Sequence, residues 1–176
     1  FNTSQVVLRV GTAGDVVTSI RTDRGKHLEC EVLGKKFSFS MSSFFQNNFS
    51  ILERFIGAVR TFLAPAGEGT LFDLYSGVGL IGILLADSYQ SVIGIEEGYE
   101  AVKFAVENAA NNQVGNILFI EGKVENLLSE LMKESPKPMH VVVDPPRTGL
   151  KPEVAKCLKK LSVEKLVYVS CHLEAL

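Results

Sequence analysis

Phe72-Asp73-Leu74-Tyr75-Ser76-Gly77-Val78-Gly79-Leu80-Ile81-Gly82 is the stretch on which the fold turns. An apolar run of strand length breaks at Ser76 into glycines spaced Gly-x-Gly-x-x-Gly, and residues 80–87 continue as a helical stretch. Strand, glycine turn and helix make the first half of a β-α-β unit, and the pattern then repeats. Strand-like segments at 71–75, 91–96, 116–121, 140–144 and 165–170 alternate with helical ones near 80–87, 99–112, 124–134 and 152–161. The alternation predicts an α/β fold with right-handed crossovers and a parallel sheet covered on both faces. Ligands of such sheets bind at the carboxyl ends of the strands.

Upstream of this region the period changes. Segments 5–10, 16–21, 28–33 and 36–40 are short, alternate in polarity and are separated by turns at Gly11, Gly14, Gly25 and Gly34, which predicts a small antiparallel meander over residues 1–40. Phe44-Phe45-Gln46-Asn47-Asn48 follows, with a polar tail suited to cap a helix over 50–63. Ile51, Leu52, Phe55, Ile56, Val59, Phe62 and Leu63 recur there at helical spacing, and Pro65-Ala66-Gly67 ends the run. The expected division is a β meander at 1–40, part of a central β subdomain, and a ligand-binding domain at 41–176.

The chain of 176 residues has room for one domain of ordinary size, and its 46% hydrophobic and 22% charged residues describe a globular protein with a core. Three cysteines without a CxxC pair point away from a disulfide framework or zinc knuckle, and toward a reducing, cytoplasmic setting. His27, His140 and His172 are too scattered to suggest a metal site. No apolar run approaches the ~20 residues of a membrane helix. The opening Phe-Asn-Thr-Ser-Gln and the ending soon after a strand-like run suggest a piece of a longer protein.

The glycine loop admits two chemistries. Gly77, Gly79 and Gly82, with Glu96 at the end of the next strand, satisfy the letters of a dinucleotide fingerprint. Asp73 stands against that reading, because a carboxylate before the loop repels pyrophosphate at the helix N-terminus. An acid there suits a cationic cofactor without phosphate, such as S-adenosyl-L-methionine, while Glu96 suits the hydroxyls of its ribose. Further on, Val141-Val142-Val143 leads into Asp144-Pro145-Pro146-Arg147-Thr148-Gly149, where two prolines stiffen the strand exit. In methyltransferases of exocyclic nitrogens the fourth residue of such a motif is aromatic. Arg147 points instead to phosphate, carboxylate or base-edge contact. The fifth strand delivers Cys171 to the same edge, where a nucleophile could reach a bound substrate, whereas Cys157 lies on the apolar side of its helix.

Taken together, Phe44 to Asn48, Asp73 to Gly79, Asp144 to Gly149 and Tyr168-Val169-Ser170-Cys171 resemble, in order and spacing, the RNA uracil-5-methyltransferases of the TrmA type. The resemblance spans about residues 37–171. It implies a Rossmann-like class I methyltransferase sheet, S-adenosyl-L-methionine as cofactor and tRNA or rRNA as partner. It also implies that Cys171 adds to carbon 6 of a flipped-out uracil so that carbon 5 becomes nucleophilic. Gln46, Asp73, Tyr75, Gly77, Gly79, Glu96 and Asp144 would bind the cofactor, and Arg147 and Phe45 would lie at the RNA or target uracil. The chain departs from the family pattern with His172-Leu173 in place of Asn-Pro, Gly122-Lys123 in place of an acid near the adenine, and Ser76 and Leu80 in the loop. The family's catalytic base is a glutamate on a later segment, so the base and the C-terminal strands are expected to be absent from this chain.

The net charge of −2 excludes a globally basic nucleic-acid binder but averages two unlike regions. Residues 144–165 carry a net +3, next to the edge that RNA would approach, whereas residues 96–134 carry a net −5. Lys156, Lys159 and Lys160 also suit a solvated helix face. The expectation is a monomeric, cytoplasmic enzyme without metal that methylates carbon 5 of a uridine. Its rivals are an NAD-type oxidoreductase domain and a catalytically inactive module that binds cofactor and RNA.

Overall fold

The computed structural model describes residues 8–10, 16–18, 27–40, 43, 45, 51–65, 67–161 and 163–170. Strand β1 (Leu8–Val10) pairs antiparallel with β2 (Val16–Thr18), and β3 (His27–Val32) pairs antiparallel with β4 (Lys35–Ser40). Among the described residues the four strands expected as one meander form two two-stranded sheets. In β3 the side chains alternate strictly, Leu28, Cys30 and Val32 pointing inward, as a strand with one wet face requires. Helix α1 (Leu52–Leu63) buries Leu52, Ile56, Val59 and Leu63. Its N-cap is Ile51, which has no side-chain oxygen, so the helix starts without the polar cap expected from the preceding asparagines.

The rest of the chain alternates strand and helix. In order come β5 (Thr70–Leu74), α2 (Leu80–Leu85), β6 (Ser91–Glu96), α3 (Tyr99–Asn111), β7 (Ile117–Glu121), α4 (Val124–Glu134), β8 (Met139–Val143), α5 (Pro152–Lys160) and β9 (Lys165–Tyr168). The five strands make one parallel sheet in the order β7-β6-β5-β8-β9. Strand order reverses between β5 and β8, which is where a doubly wound sheet opens a crevice at its carboxyl edge.

Two apolar layers cover the sheet. On one face Leu71, Val92, Phe119 and Val142 pack under α1, α2, α3 and the β3–β4 hairpin. On the other, Phe72, Leu74, Ile95, Val141 and Val143 pack under α4 and α5. Covering both faces is what lets β5 and β8 be buried at every position, including the polar Thr70, Asp73 and His140 within them. The outer strands are less covered: Leu118 on β7 is 57% exposed and Leu166 on β9 is 48% exposed. Arg60 ties the end of α1 to the end of α2 by donating to the Leu84 carbonyl at 2.8 Å and to Asp87 at 3.2 Å. Among the described residues no helix is long and apolar enough to cross a membrane.

Candidate functional site

The site is built where β5 ends. Leu74 is the last strand residue, and the chain then turns through Tyr75 (φ 62°), Gly77 (φ 54°) and Gly79 (φ 85°) before α2 begins. A left-handed aromatic residue is uncommon, and such strain gathers at functional sites. The turn is pinned at both sides: Ser76 N–H donates to the Ile95 carbonyl at 3.1 Å, and Gly79 N–H donates back to the Ser76 carbonyl at 2.9 Å. Gly79 also lacks a Cβ for a packing reason, since one would fall 2.5 Å from the Phe119 ring.

Asp73 lies beneath this loop with 1% of its surface exposed. Its Oδ2 accepts the Gly82 N–H at 2.8 Å, and a Cβ on residue 82 would crowd that oxygen at 3.0 Å. The third glycine of the motif thus lets α2 approach the carboxylate. Asp73 Oδ1 is buried without a hydrogen-bond partner, as is Ser76 Oγ. Burial, with further repulsion from Asp144 and Glu96, pushes the Asp73 carboxyl up to about 7 against the pull of the Gly82 N–H. Glu96, at the end of β6, is held by two backbone donors: Gly77 N–H to Oε2 at 3.0 Å and Gly98 N–H to Oε1 at 2.8 Å. Both oxygens keep lone pairs for further donors.

A cleft opens above these groups, lined by Asp73, Tyr75, Gly77 and Asp144 with an apolar wall that includes Phe45 and Phe55. Burial and the neighbouring Glu125 carboxylate, then Tyr168 and Glu97, push the Tyr75 phenol up. Glu125 itself is pulled down by its hydrogen-bonded partner Lys151. The structure therefore brings Asp73, Tyr75, Gly77 and Asp144 into one cleft, with Glu96 bonded to its rim through Gly77. Phe45, expected at the RNA, is a core residue with 3% exposure, its ring stacked on Phe39 at 4.2 Å, and it walls the cleft. Gly79 faces Phe119 as described. Arg147 stands apart from the cleft, exposed in the turn closed by Gly149 N–H on the Pro146 carbonyl at 2.8 Å. Gln46 and Cys171 lie outside the described residues. Val169 N–H donates to the Val143 carbonyl at 2.8 Å, which carries the bonding between β8 and β9 one residue past Tyr168.

Sequence reading missed Phe55 as a cleft residue, because at helical spacing it reads as core. It missed Asn108, which is buried on α3 and donates to the Val78 carbonyl at 3.1 Å. Among the described residues no group of His, Cys, Asp and Glu is arranged to hold a metal ion.

A parallel sheet in this order, with acids at the ends of β5, β6 and β8 around a glycine loop, has the class I methyltransferase fold. The family described as tRNA (Uracil-5-)-methyltransferase matches residues 23–176, and the chain belongs to that family. An uncharacterized RNA methyltransferase of Caldanaerobacter subterraneus subsp. tengcongensis is 46% identical over 145 residues, which are 82% of this chain and 32% of that protein. The chain spans about a third of the length of the curated relatives it matches. Among solved structures, Pyrococcus abyssi tRNA (uracil-54, C5)-methyltransferase in complex with S-adenosyl-L-homocysteine aligns with a TM-score of 0.71 at 30% identity, over 85% of this chain and 36% of that one. The M. jannaschii tRNA m1G37 methyltransferase, 13% identical with a TM-score of 0.57 over 84% of this chain and 44% of its own, shares the fold.

Proposed function

We propose that the chain carries the cofactor site and the nucleophile of an S-adenosylmethionine-dependent RNA methyltransferase acting on carbon 5 of a uridine in tRNA or rRNA. The observation that carries this reading is the cleft itself. A buried carboxylate with an unpartnered oxygen, Asp73, stands between two further acids, Glu96 and Asp144. Such a cleft favours a ligand with positive charge and repels a pyrophosphate, so a dinucleotide-dependent oxidoreductase is not favoured. The residues fit S-adenosylmethionine: Asp73 and Asp144 answer a sulfonium and an ammonium group, Glu96 offers two oriented oxygens to a ribose diol, and Phe45 and Phe55 exclude water.

When bound, the cofactor supplies an electrophilic methyl group to carbon 5. Uracil carbon 5 is a poor nucleophile, and Cys171 corrects this. Its thiolate forms a bond to carbon 6, the electron pair of the 5,6 double bond moves toward the carbon 4 carbonyl, and carbon 5 becomes enolate-like. After methylation the carbon 5 proton leaves to a base, and elimination restores the thiolate and the double bond. Arg147, exposed beyond the cleft, is suited to the RNA backbone or a base edge.

Titration calorimetry with S-adenosylhomocysteine and with NAD tests the cofactor assignment. Saturable binding of the first alone is expected, and binding of NAD alone overturns the reading. In the full-length protein, RNA containing 5-fluorouridine is expected to form a denaturation-resistant adduct that Cys171→Ser abolishes. An adduct that survives the substitution removes Cys171 from its role.

A further inference from the structure

Asn108, in the last turn of α3, and Asn112, the residue that caps its C-terminus, lie four positions apart and face the edge of β4 that β3 leaves unpaired. Asn108 Oδ1 accepts the Ser38 N–H at 2.7 Å while its Nδ2 donates to the Ser38 carbonyl at 3.0 Å. Asn112 does the same with Lys36, at 2.9 and 2.6 Å. A carboxamide that both accepts from and donates to one residue reproduces the pair of bonds a neighbouring strand would make. The spacing suits this substitution, since four residues of helix rise about 6 Å and two residues of strand about 6.7 Å. The side chains of a helix residue and of the helix's capping residue thus stand in for a third strand.

The two asparagines differ in their remaining bond. Asn112 Nδ2 turns back to the Asn108 carbonyl of its own helix at 2.8 Å. Asn108, completely buried, sends Nδ2 to the Val78 carbonyl in the glycine loop at 3.1 Å. That carbonyl shares a peptide plane with the Gly79 N–H, whose bond to the Ser76 carbonyl closes the loop. Holding one end of the plane fixes the direction of the other. The same hairpin reaches the cleft by a second route, because Phe39 of β4 stacks on Phe45 of the cleft wall.

We propose that Asn108 is a positioning residue for the cofactor loop: one carboxamide holds the β3–β4 hairpin and the Val78–Gly79 peptide at once, so hairpin docking and loop geometry are set together. The proposal rests on the reading of the cleft as a cofactor site. Asn108→Ser and Asn112→Ser each cut a tie to the hairpin, but the first alone frees the Val78 carbonyl. Titration with S-adenosylhomocysteine is expected to show affinity about tenfold weaker in Asn108→Ser and within about twofold of the parent in Asn112→Ser. Hydrogen exchange over residues 76–82 is expected to quicken in the first variant only. Equal losses of affinity in both variants would reduce Asn108 to a hairpin anchor, and parental affinity in Asn108→Ser would overturn the proposal outright. If the parent itself does not bind the ligand, the cofactor reading fails, while the contrast in loop exchange still decides the coupling. Should Asn108→Ser not fold, Asn108→Asp keeps the shape and the acceptor for Ser38 N–H but lacks the donors, and the same contrast with Asn112→Ser is read.

Discussion

Asp73→Asn separates what this carboxylate does for the cleft from what it costs the fold. Asparagine has the same shape, and its oxygen can still accept the Gly82 N–H that Asp73 holds at 2.8 Å. What it lacks is a charge that the folded chain holds with difficulty. The carboxyl is raised from its ordinary value of 3.8 to about 7 by burial, with Asp144 and Glu96 adding repulsion. Well below pH 3.8 Asp73 is protonated in both the folded and the unfolded chain. As the pH rises toward 7 the unfolded chain releases the proton and the folded chain keeps it, so stability falls across that window and levels above it. At about 1.4 kcal/mol for each pH unit the full effect is about 4 kcal/mol, of which about 3 kcal/mol falls between pH 5 and pH 8. Urea unfolding of parent and variant at those two pH values reads it directly. Asp73→Asn is expected to gain about 3 kcal/mol on the parent between pH 5 and pH 8, against a total stability of about 5–15 kcal/mol for an ordinary domain. A gap that is the same at both pH values refutes the buried ionisation. The same variant is expected to bind S-adenosylhomocysteine more weakly, the usual exchange of function for stability at a strained site.

Two further substitutions probe the loop and its acid. Gly94→Ala places a Cβ 2.4 Å from the Phe119 ring and 3.1 Å from Ser76 Oγ, and it is expected to cost about 1–3 kcal/mol in urea unfolding. Phe119→Leu in the same chain should recover much of that loss, and strictly additive effects would show that the two do not collide. Glu96→Gln replaces one of the oxygens now bonded to Gly77 and Gly98 by an amide donor. Calorimetry with S-adenosylhomocysteine should register a loss of about 1.5–3 kcal/mol, and unchanged affinity removes Glu96 from the ribose role.

The elements of the parallel sheet were legible because each is long enough to declare its period. Strand β8 is marked by Val141-Val142-Val143, and α4 repeats its apolar residues every three to four positions, so both lie within a residue or two of the expected segments. The short amino-terminal strands were less so. Pairing is a choice among partners, and four segments of alternating polarity fit one meander as well as the two hairpins observed. The start of α1 differs from the expected one for a related reason: asparagines suggest a cap, but the helix begins at Leu52, where packing of its apolar face begins.

At the site, the sequence by itself determined which chemical groups gather. A glycine turn after β5 and acids at the ends of three parallel strands must share one edge of the sheet, because every such strand ends on the same side. What each group packs against and bonds to there follows from the tertiary structure. Gly79 and Gly82, which by their spacing suggest close approach to a ligand, also give room to the Phe119 ring and the Asp73 carboxylate. Phe45 belongs to the cleft wall because Phe39 stacks beneath it. Asn108 carries no local signal at all, since its partners Ser38 and Val78 lie 70 and 30 residues away in the chain. Periodicity and motif spacing are properties of neighbours in sequence, and so they reveal elements and edges. Burial, contact distance and the partner of a hydrogen bond are set by residues far along the chain, and only the folded molecule brings those together.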